Sequence, residues 1–141
     1  MLLVWLAVFS VALYAQGVVT GVVYVDSNAD NKRGANEKGI AGVAVSNGVE
    51  VVLTDSNGKY SLPVSGDTTV FVVKPAGYNV PLNDLNQPQY YYMHKPKGSP
   101  KLKYKVFDPT GALPASVDFG LRPASESKNF TALVFGDPQP Y

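Results

Sequence analysis

Hydrophobic and polar residues alternate along most of the chain after Gly17, with the period of two that is typical of half-buried β-strands. In GVVTGVVYVD this alternation places Val19, Val23 and Val25 on one face of a strand. Similar runs occur in AGVAVSN, TTVFVVKP, QYYYMHK and SVDFGLR. The residues that share one face of a strand in these runs are Val43 with Val45, Val70 with Val72, and Val117 with Phe119 and Leu121. The pattern predicts an all-β domain of short strands.

One stretch has the local signature of a β-hairpin. Between Val49 and Leu62, EVVLTDSNGKYSL contains two apolar runs separated by Asp-Ser-Asn-Gly. Glycine adopts positive φ at little cost, so Gly58 suits the last position of such a turn. We therefore expect two neighbouring antiparallel strands here.

A later stretch, KLKYKVF, alternates most regularly of all. Lysines take one side and apolar residues the other, namely Lys101, Lys103 and Lys105 against Leu102, Tyr104 and Val106. We expect a strand whose lysines face solvent. Roughly seven or eight short strands with turns between them predict an immunoglobulin-like or transthyretin-like Greek-key β-sandwich.

Composition narrows the functional classes. The chain has 141 residues, is 45% hydrophobic and 16% charged, and carries a net charge of +1. This is enough apolar surface for one core, and no global field attracts nucleic acid or an anionic membrane. Cysteine is absent, which excludes a disulfide scaffold and thiol chemistry but not export.

The N-terminus resembles an export signal. MLLVWLAVFSVALYAQ is an uninterrupted apolar run that ends in small residues at Ala12 and Ala15. It is short for a membrane span and lacks the usual early Lys or Arg. A first β-strand is the alternative, but the run does not alternate. We expect residues 1–15 to be a signal peptide cleaved after Ala15, giving a secreted or periplasmic protein without a membrane span.

The character of the chain changes after Pro123. Residues 124–129 are small, polar and typical of a linker, and residues 130–135 are apolar on both faces. A strand buried on both faces is typical of a helix-covered parallel sheet, and ligand sites lie at the carboxyl ends of such strands. Asp137 follows this run. The predicted organisation is therefore a sandwich over 16–123 and the first strand of a truncated α/β domain over 130–141.

An acidic loop suggests a calcium site. Counted from Asp26, the side chains of Asp26, Asn28, Asp30 and Glu37 occupy positions 1, 3, 5 and 12, and the Lys32 carbonyl occupies position 7, as in an EF-hand loop. Asn31 stands where that loop prefers glycine, although asparagine tolerates the left-handed conformation. A polar connection rich in turn formers, neutralised by nearby basic residues, is the other interpretation. The sequence leaves both open.

Three stretches carry a family resemblance. GVVYVDSNADNKRGANEKGIAGVAVSNG with VVLTDSNGKYSLP, then YYYMHKPKGSPKLKY, then LPASVDFGLRP resemble successive motifs of the N-terminal domain of secreted bacterial calcineurin-like metallophosphoesterases. The resemblance covers residues 17–123. FTALVFGDPQP is similar to the opening metal-ligand motif of the catalytic domain that follows in that family.

This resemblance implies a two-metal phosphoesterase in the parent protein. Asp137 matches the first metal-ligand aspartate, and Gln139 stands where the family has histidine. The later ligand motifs have no counterpart in this chain. We therefore expect a structural or docking domain whose partner is the catalytic domain of the full-length chain, and no phosphoesterase activity from this polypeptide alone.

Other features have alternative interpretations. The five lysines between residues 95 and 105 suit an exposed strand guarded against aggregation better than a nucleic-acid surface. His94 is the only histidine, so a histidine-based metal site is excluded. The tyrosines at 90–92 are expected in the inter-sheet core, but exposed tyrosines would suit a free-standing adhesion or carbohydrate-binding module.

Overall fold

The protein is a two-sheet β-sandwich in its computed structural model, which describes residues 17–104, 106–134 and 136. Eight strands are present in these residues and no helix, so none of them forms a helix able to cross a membrane. The strands are β1 (Gly17–Val25), β2 (Ala44–Ser46), β3 (Val51–Leu53), β4 (Lys59–Val64), β5 (Thr68–Val72), β6 (Tyr78–Asn79), β7 (Tyr91–His94) and β8 (Phe119–Pro123). The predicted signal peptide, Asp137 and Gln139 lie outside the described residues.

Each sheet has four strands. The first sheet has the order β4-β1-β8-β6, and the second has the order β3-β2-β5-β7. Strand β1 pairs with β4 antiparallel and with β8 in parallel, so the first and last strands of the sandwich are neighbours. The remaining pairs are antiparallel. The segments at the two ends of the sandwich are therefore held together in one sheet.

The core lies between the two sheets and consists of the side chains that the alternation places on one face. Val23, Val45, Leu62, Val70 and Leu121 are completely buried. Burial of aliphatic side chains of this kind stabilises the fold by about 1.5–3 kcal/mol each. The predicted all-β sandwich is confirmed.

The expected hairpin between residues 49 and 62 is wrong. Strand β3 pairs with β2 in the second sheet, whereas β4 pairs with β1 in the first. The turn itself forms as predicted, since Gly58 has φ 76° and its amide donates to the Asp55 carbonyl at 2.9 Å. The turn thus joins strands of opposite sheets, because β3 pairs with the preceding strand β2 while β4 pairs with the distant strand β1.

The strand expected in KLKYKVF is also absent. Residues 101–104 and 106 lie outside any strand, and Leu102 and Tyr104 are exposed on the same surface loop as the lysines. Lys105 is not among the described residues. Alternation alone does not make a strand, because a strand also needs a neighbour for its backbone hydrogen bonds. The proposed role of these lysines as guards of an exposed strand therefore does not hold.

The described residues after Pro123, namely 124–134 and 136, belong to neither sheet. Residues 130–134 form no strand, and Phe130, Leu133 and Val134 are exposed. The part of the strand predicted over 130–135 that the structure describes is therefore not formed, since an isolated strand has no hydrogen-bonding partner. The last strand found among the described residues, β8, ends at Pro123.

Candidate functional site: the 26–37 loop and Arg122

The acidic loop leaves the end of β1 and returns beside it. The Val25 amide donates to the Lys38 carbonyl at 2.9 Å, which closes the base of the loop. The Asp26 amide donates to the Leu121 carbonyl of β8 at 2.9 Å. The first residue of the loop is therefore fixed against the last strand of the sandwich.

Asp26 is a buried carboxylate with one ionic partner. The residue is 2% exposed, and its Oδ2 accepts from Arg122 Nε at 3.1 Å. The other oxygen, Oδ1, is buried without a hydrogen-bond donor in the structure. A buried charge is costly unless it is paired, so the Arg122 guanidinium is the principal stabiliser of Asp26.

Arg122 also binds the far side of the loop. Its Nη2 donates to the Ala29 carbonyl and to Asn31 Oδ1, both at 2.9 Å. Ala29 and Asn31 have φ of 61° and 59°, which is the left-handed region. The tolerance of Asn31 for that conformation was predicted from sequence, whereas Ala29 has no such intrinsic preference. One guanidinium therefore contacts three oxygens of the loop and holds its backbone in an unfavourable conformation.

Glu37 closes the second half of the loop with hydrogen bonds to backbone amides. Its Oε2 accepts from the Gly34 amide at 2.8 Å, and its Oε1 accepts from the Ser27 amide at 2.8 Å and the Ser27 hydroxyl at 3.2 Å. The Gly34 hydrogen bond, followed by those of Ser27, lowers the pKa of Glu37 below its ordinary value of 4.5.

Asn28 and Asp30 hydrogen-bond within the exposed tip of the loop. Asp30 Oδ1 accepts from the Lys32 amide at 2.7 Å, and Asp30 Oδ2 accepts from Asn28 Nδ2 at 2.9 Å. The four predicted side-chain ligands are therefore all in one loop, but protein donors occupy most of their oxygens. Within 17–104, 106–134 and 136, no group of three or more His, Cys, Asp or Glu side chains is arranged to hold a metal ion.

The negative charge beneath the loop also affects Tyr24. Burial, followed by the charges of Asp26 and Glu37, raises the pKa of Tyr24 to about 12. The phenol therefore stays neutral at all physiological pH values.

The lowered pKa of Glu37 predicts acid sensitivity of this loop. A depressed folded-state pKa contributes stability above the unfolded value of 4.5, and this contribution is lost as the pH falls through the folded value. Glu37→Gln should lower the melting temperature at pH 7, and its melting temperature should fall less than that of wild type between pH 5 and roughly pH 3. Circular dichroism melts across this range test it, and parallel curves for the two proteins would contradict it.

Comparison with known proteins identifies the domain. Residues 26–108, more than half of the chain, match the family model described as the N terminal of calcineurin-like phosphoesterase. The chain belongs to this family. The membership predicted from the motifs is thereby confirmed, and the match includes the whole 26–37 loop.

The phosphoesterase N-terminal domain is also similar to part of a group of much longer proteins. These are the serine-aspartate repeat-containing protein C of Staphylococcus aureus strains Newman, USA300 and NCTC 8325, each 47% identical over 64 residues. The alignment covers 40% of this chain and 7%, 7% and 6% of those proteins, respectively. The likeness is thus to one segment of these proteins.

Sequence reasoning missed Arg122 as a residue of the site. Its position in VDFGLRP was noticeable only as a charge that follows buried residues of a strand. It lies 96 residues from Asp26 along the chain, and only the parallel pairing of β1 with β8 brings them together. The tyrosine prediction was partly wrong as well, since Tyr92 packs against the core while Tyr90 and Tyr91 are exposed.

Proposed function

We propose that this chain is the structural accessory domain of an exported calcineurin-like phosphoesterase, and that it positions the catalytic domain without hydrolysing phosphoesters itself. The observation that carries the proposal is how the chain leaves the sandwich. The Ala124 amide donates to the Gly77 carbonyl at 2.8 Å, and Glu126 forms an ion pair with Lys74. Residues 130–134, by contrast, pack into neither sheet. The chain is thus anchored where it leaves the sandwich, and an unpaired apolar segment follows. This arrangement suits a domain that holds a second domain in a defined position.

The chemistry of the family supports inactivity of this chain alone. Phosphoester hydrolysis at a two-metal site needs ligands that hold both ions and position a water molecule. By resemblance this chain contributes only Asp137 and Gln139 to such a site. One carboxylate and one amide do not hold two divalent ions, so the other ligands must come from the catalytic domain.

A comparison of two proteins tests the proposal. Residues 16–141 and the parent chain, extended along the reading frame, are assayed with bis(p-nitrophenyl) phosphate and Mn²⁺. We expect hydrolysis by the parent, its loss in the parent Asp137→Ala variant, and none by residues 16–141. Turnover by residues 16–141 that scales with protein and disappears in Asp137→Ala would refute the accessory role.

Export is a further part of the proposal and has its own test. The apolar run at residues 1–15 supports it. Expression of the full chain in a bacterial host should yield an exported product. Its measured mass should be that of a chain that begins at Gln16. Retention of an uncleaved chain in the cytoplasm would overturn export and leave the accessory role unaffected.

We also propose that the 26–37 loop binds calcium. Asp26 Oδ1, buried and without a donor, is a vacant anionic oxygen, and calcium prefers hard oxygen ligands of this kind. Asn28, Asp30 and Glu37 supply further oxygens after rearrangement of the loop hydrogen bonds, and Lys32 would supply its carbonyl. Arg122 opposes binding by charge, so the affinity should be modest.

Thermal melts with excess CaCl₂, with MgCl₂ and with EDTA test this proposal. An ion that binds only the folded state stabilises it by about 2.7 kcal/mol at a hundredfold excess over its dissociation constant. The melting temperature should therefore rise by several degrees in calcium, and the rise should disappear in Asp30→Ala, which removes an exposed oxygen ligand from the loop. Equal melts in all three solutions would exclude the ion.

A further inference from the structure

The outward face of the second sheet carries no charged side chain. Because successive residues of a strand point to opposite faces, the buried Val45, Val70 and Val72 identify the inward set. The outward residues of the four strands are Ala44, Ser46, Val51, Leu53, Thr69, Phe71, Tyr91 and Met93. We call this set the apolar face. A sheet face in contact with water is normally polar. An exposed sheet face without charged side chains therefore indicates a binding surface for a partner.

Strand register makes the apolar face continuous. Ser46 lies opposite both Val51 and Phe71, and Phe71 lies opposite Tyr91. A row of neighbouring side chains therefore crosses all four strands. Val51, Leu53 and Tyr91 are 64%, 67% and 50% exposed. Large apolar surfaces at both edges of the sheet are thus open to a partner.

The outward face of the first sheet differs. Lys59 and Ser61 of β4 are exposed beside Thr20 of β1, and Arg122 of β8 faces the acidic loop. Polar and charged groups of this kind are typical of a face in contact with water. Val18 of β1 is also exposed on this face, at 59%, so the two faces differ in the charged side chains that only the first sheet carries.

The chain leaves the sandwich next to the apolar face. The Val73 amide donates to the Ala44 carbonyl at 2.9 Å, so the exposed Val73 extends that face by one residue. The next residue, Lys74, donates to the Tyr78 carbonyl at 2.9 Å and pairs with Glu126. The linker is therefore anchored one residue beyond the apolar face. The linker residues after Glu126 therefore start from a point close to the apolar face.

Several other occupants fit less well. The absence of charge on the apolar face offers nothing to a phosphate backbone or an anionic lipid headgroup. A sugar would need several polar partners, but the Ser46 hydroxyl is buried and already accepts from the Gly48 amide at 3.0 Å. This leaves the hydroxyls of Thr69 and Tyr91. Interfaces between domains of one chain are extended and partly apolar, which matches this face.

We propose that the apolar face is the docking surface for the catalytic domain of the same polypeptide. This inference rests on the proposed accessory function and adds which of the two sheets makes the interface. The linker anchored at Lys74 delivers the catalytic domain to the edge of the face at a high effective concentration. Contact there removes Val51, Leu53 and Tyr91 from water.

Hydrogen–deuterium exchange on the two-domain parent and on residues 16–141 tests the docking surface. Peptides that span β3 and β5 should exchange at least tenfold more slowly in the parent than in the isolated domain. The double variant Val51→Lys with Leu53→Lys changes only exposed side chains and should remove that difference. Ser61→Lys adds a charge to the exposed face of the first sheet and should retain it. Melts of the isolated variants establish that each one folds.

Three results would overturn the inference. Protection in the parent confined to β1 and β4 would place the interface on the first sheet. Self-association of the isolated domain in sedimentation experiments, abolished by the double variant, would make the apolar face a contact between two copies. Protection of the isolated domain by added oligosaccharides would assign the face to a sugar. Each of these leaves the activity of the parent intact, whereas failure of the accessory function would appear as turnover by residues 16–141.

Discussion

Arg122→Ala should lower the free energy of unfolding by about 3 kcal/mol, because it leaves the Asp26 carboxylate buried without its ionic partner. Loss of one member of a fully buried pair costs about 3–5 kcal/mol. The lower end applies here because the Arg122 side chain is 33% exposed and water can partly replace it. The same substitution removes two hydrogen bonds that hold the loop at Ala29 and Asn31. The melting temperature should fall by roughly 10 °C.

Urea denaturation at pH 7 measures this loss, and a double-mutant cycle separates the pair from its surroundings. Asp26→Asn alone should cost less than Arg122→Ala, because it leaves a cation that can reach water. The combination of the two should cost less than their sum. A loss below about 1 kcal/mol for Arg122→Ala would mean that the pair behaves like a surface salt bridge.

Gly58→Ala should destabilise the protein by roughly 3–5 kcal/mol, from left-handed strain together with steric overlap. A Cβ at this position would lie 2.3 Å from the Val23 carbonyl oxygen and 2.7 Å from the Gly39 Cα. Both neighbours are backbone, so the turn between β3 and β4 would have to move away from β1. That movement would break the hydrogen bond from the Val23 amide to the Gly58 carbonyl at 2.8 Å.

Gly66→Ala is the matched control. Gly66 also has positive φ, at 59°, but nothing lies within 4 Å of an added Cβ. It should cost only the conformational penalty of about 1–2 kcal/mol. The difference between the two variants in chemical denaturation measures the close approach of the turn to β1. Equal losses would show that the backbone accommodates the methyl group and that strain alone matters.

The sequence by itself determined the core-facing side chains of several strands. The alternation in GVVTGVVYVD, TTVFVVKP and SVDFGLR identified Val19, Val70 and Leu121 among the residues that share one face of a strand, and all are buried. Local turn chemistry also predicted the positive φ of Gly58 and the tolerance of Asn31 for the left-handed region. These are properties of single residues and near neighbours, so a linear sequence contains them.

The sequence also determined which residues belong to the acidic loop, but it did not determine their hydrogen-bond partners. Asp26, Asn28, Asp30 and Glu37 were found by their oxygen spacing. Their actual partners are the Gly34 and Ser27 amides, each other, and Arg122. The first three lie nearby and follow from turn formation, but Arg122 comes from the other end of the domain.

Only the tertiary structure decided which strands become neighbours. A period of two states which face a residue occupies and says nothing about the strand beside it. The turn at 55–58 therefore joins opposite sheets, and KLKYKVF alternates without pairing. Parallel pairing of β1 with β8 brings the two ends of the domain together and so closes one long loop. The entropic cost of closing that loop is offset only when the core has assembled. For the same reason Asp26 meets Arg122, and the second sheet keeps an apolar face, only once all eight strands are in place.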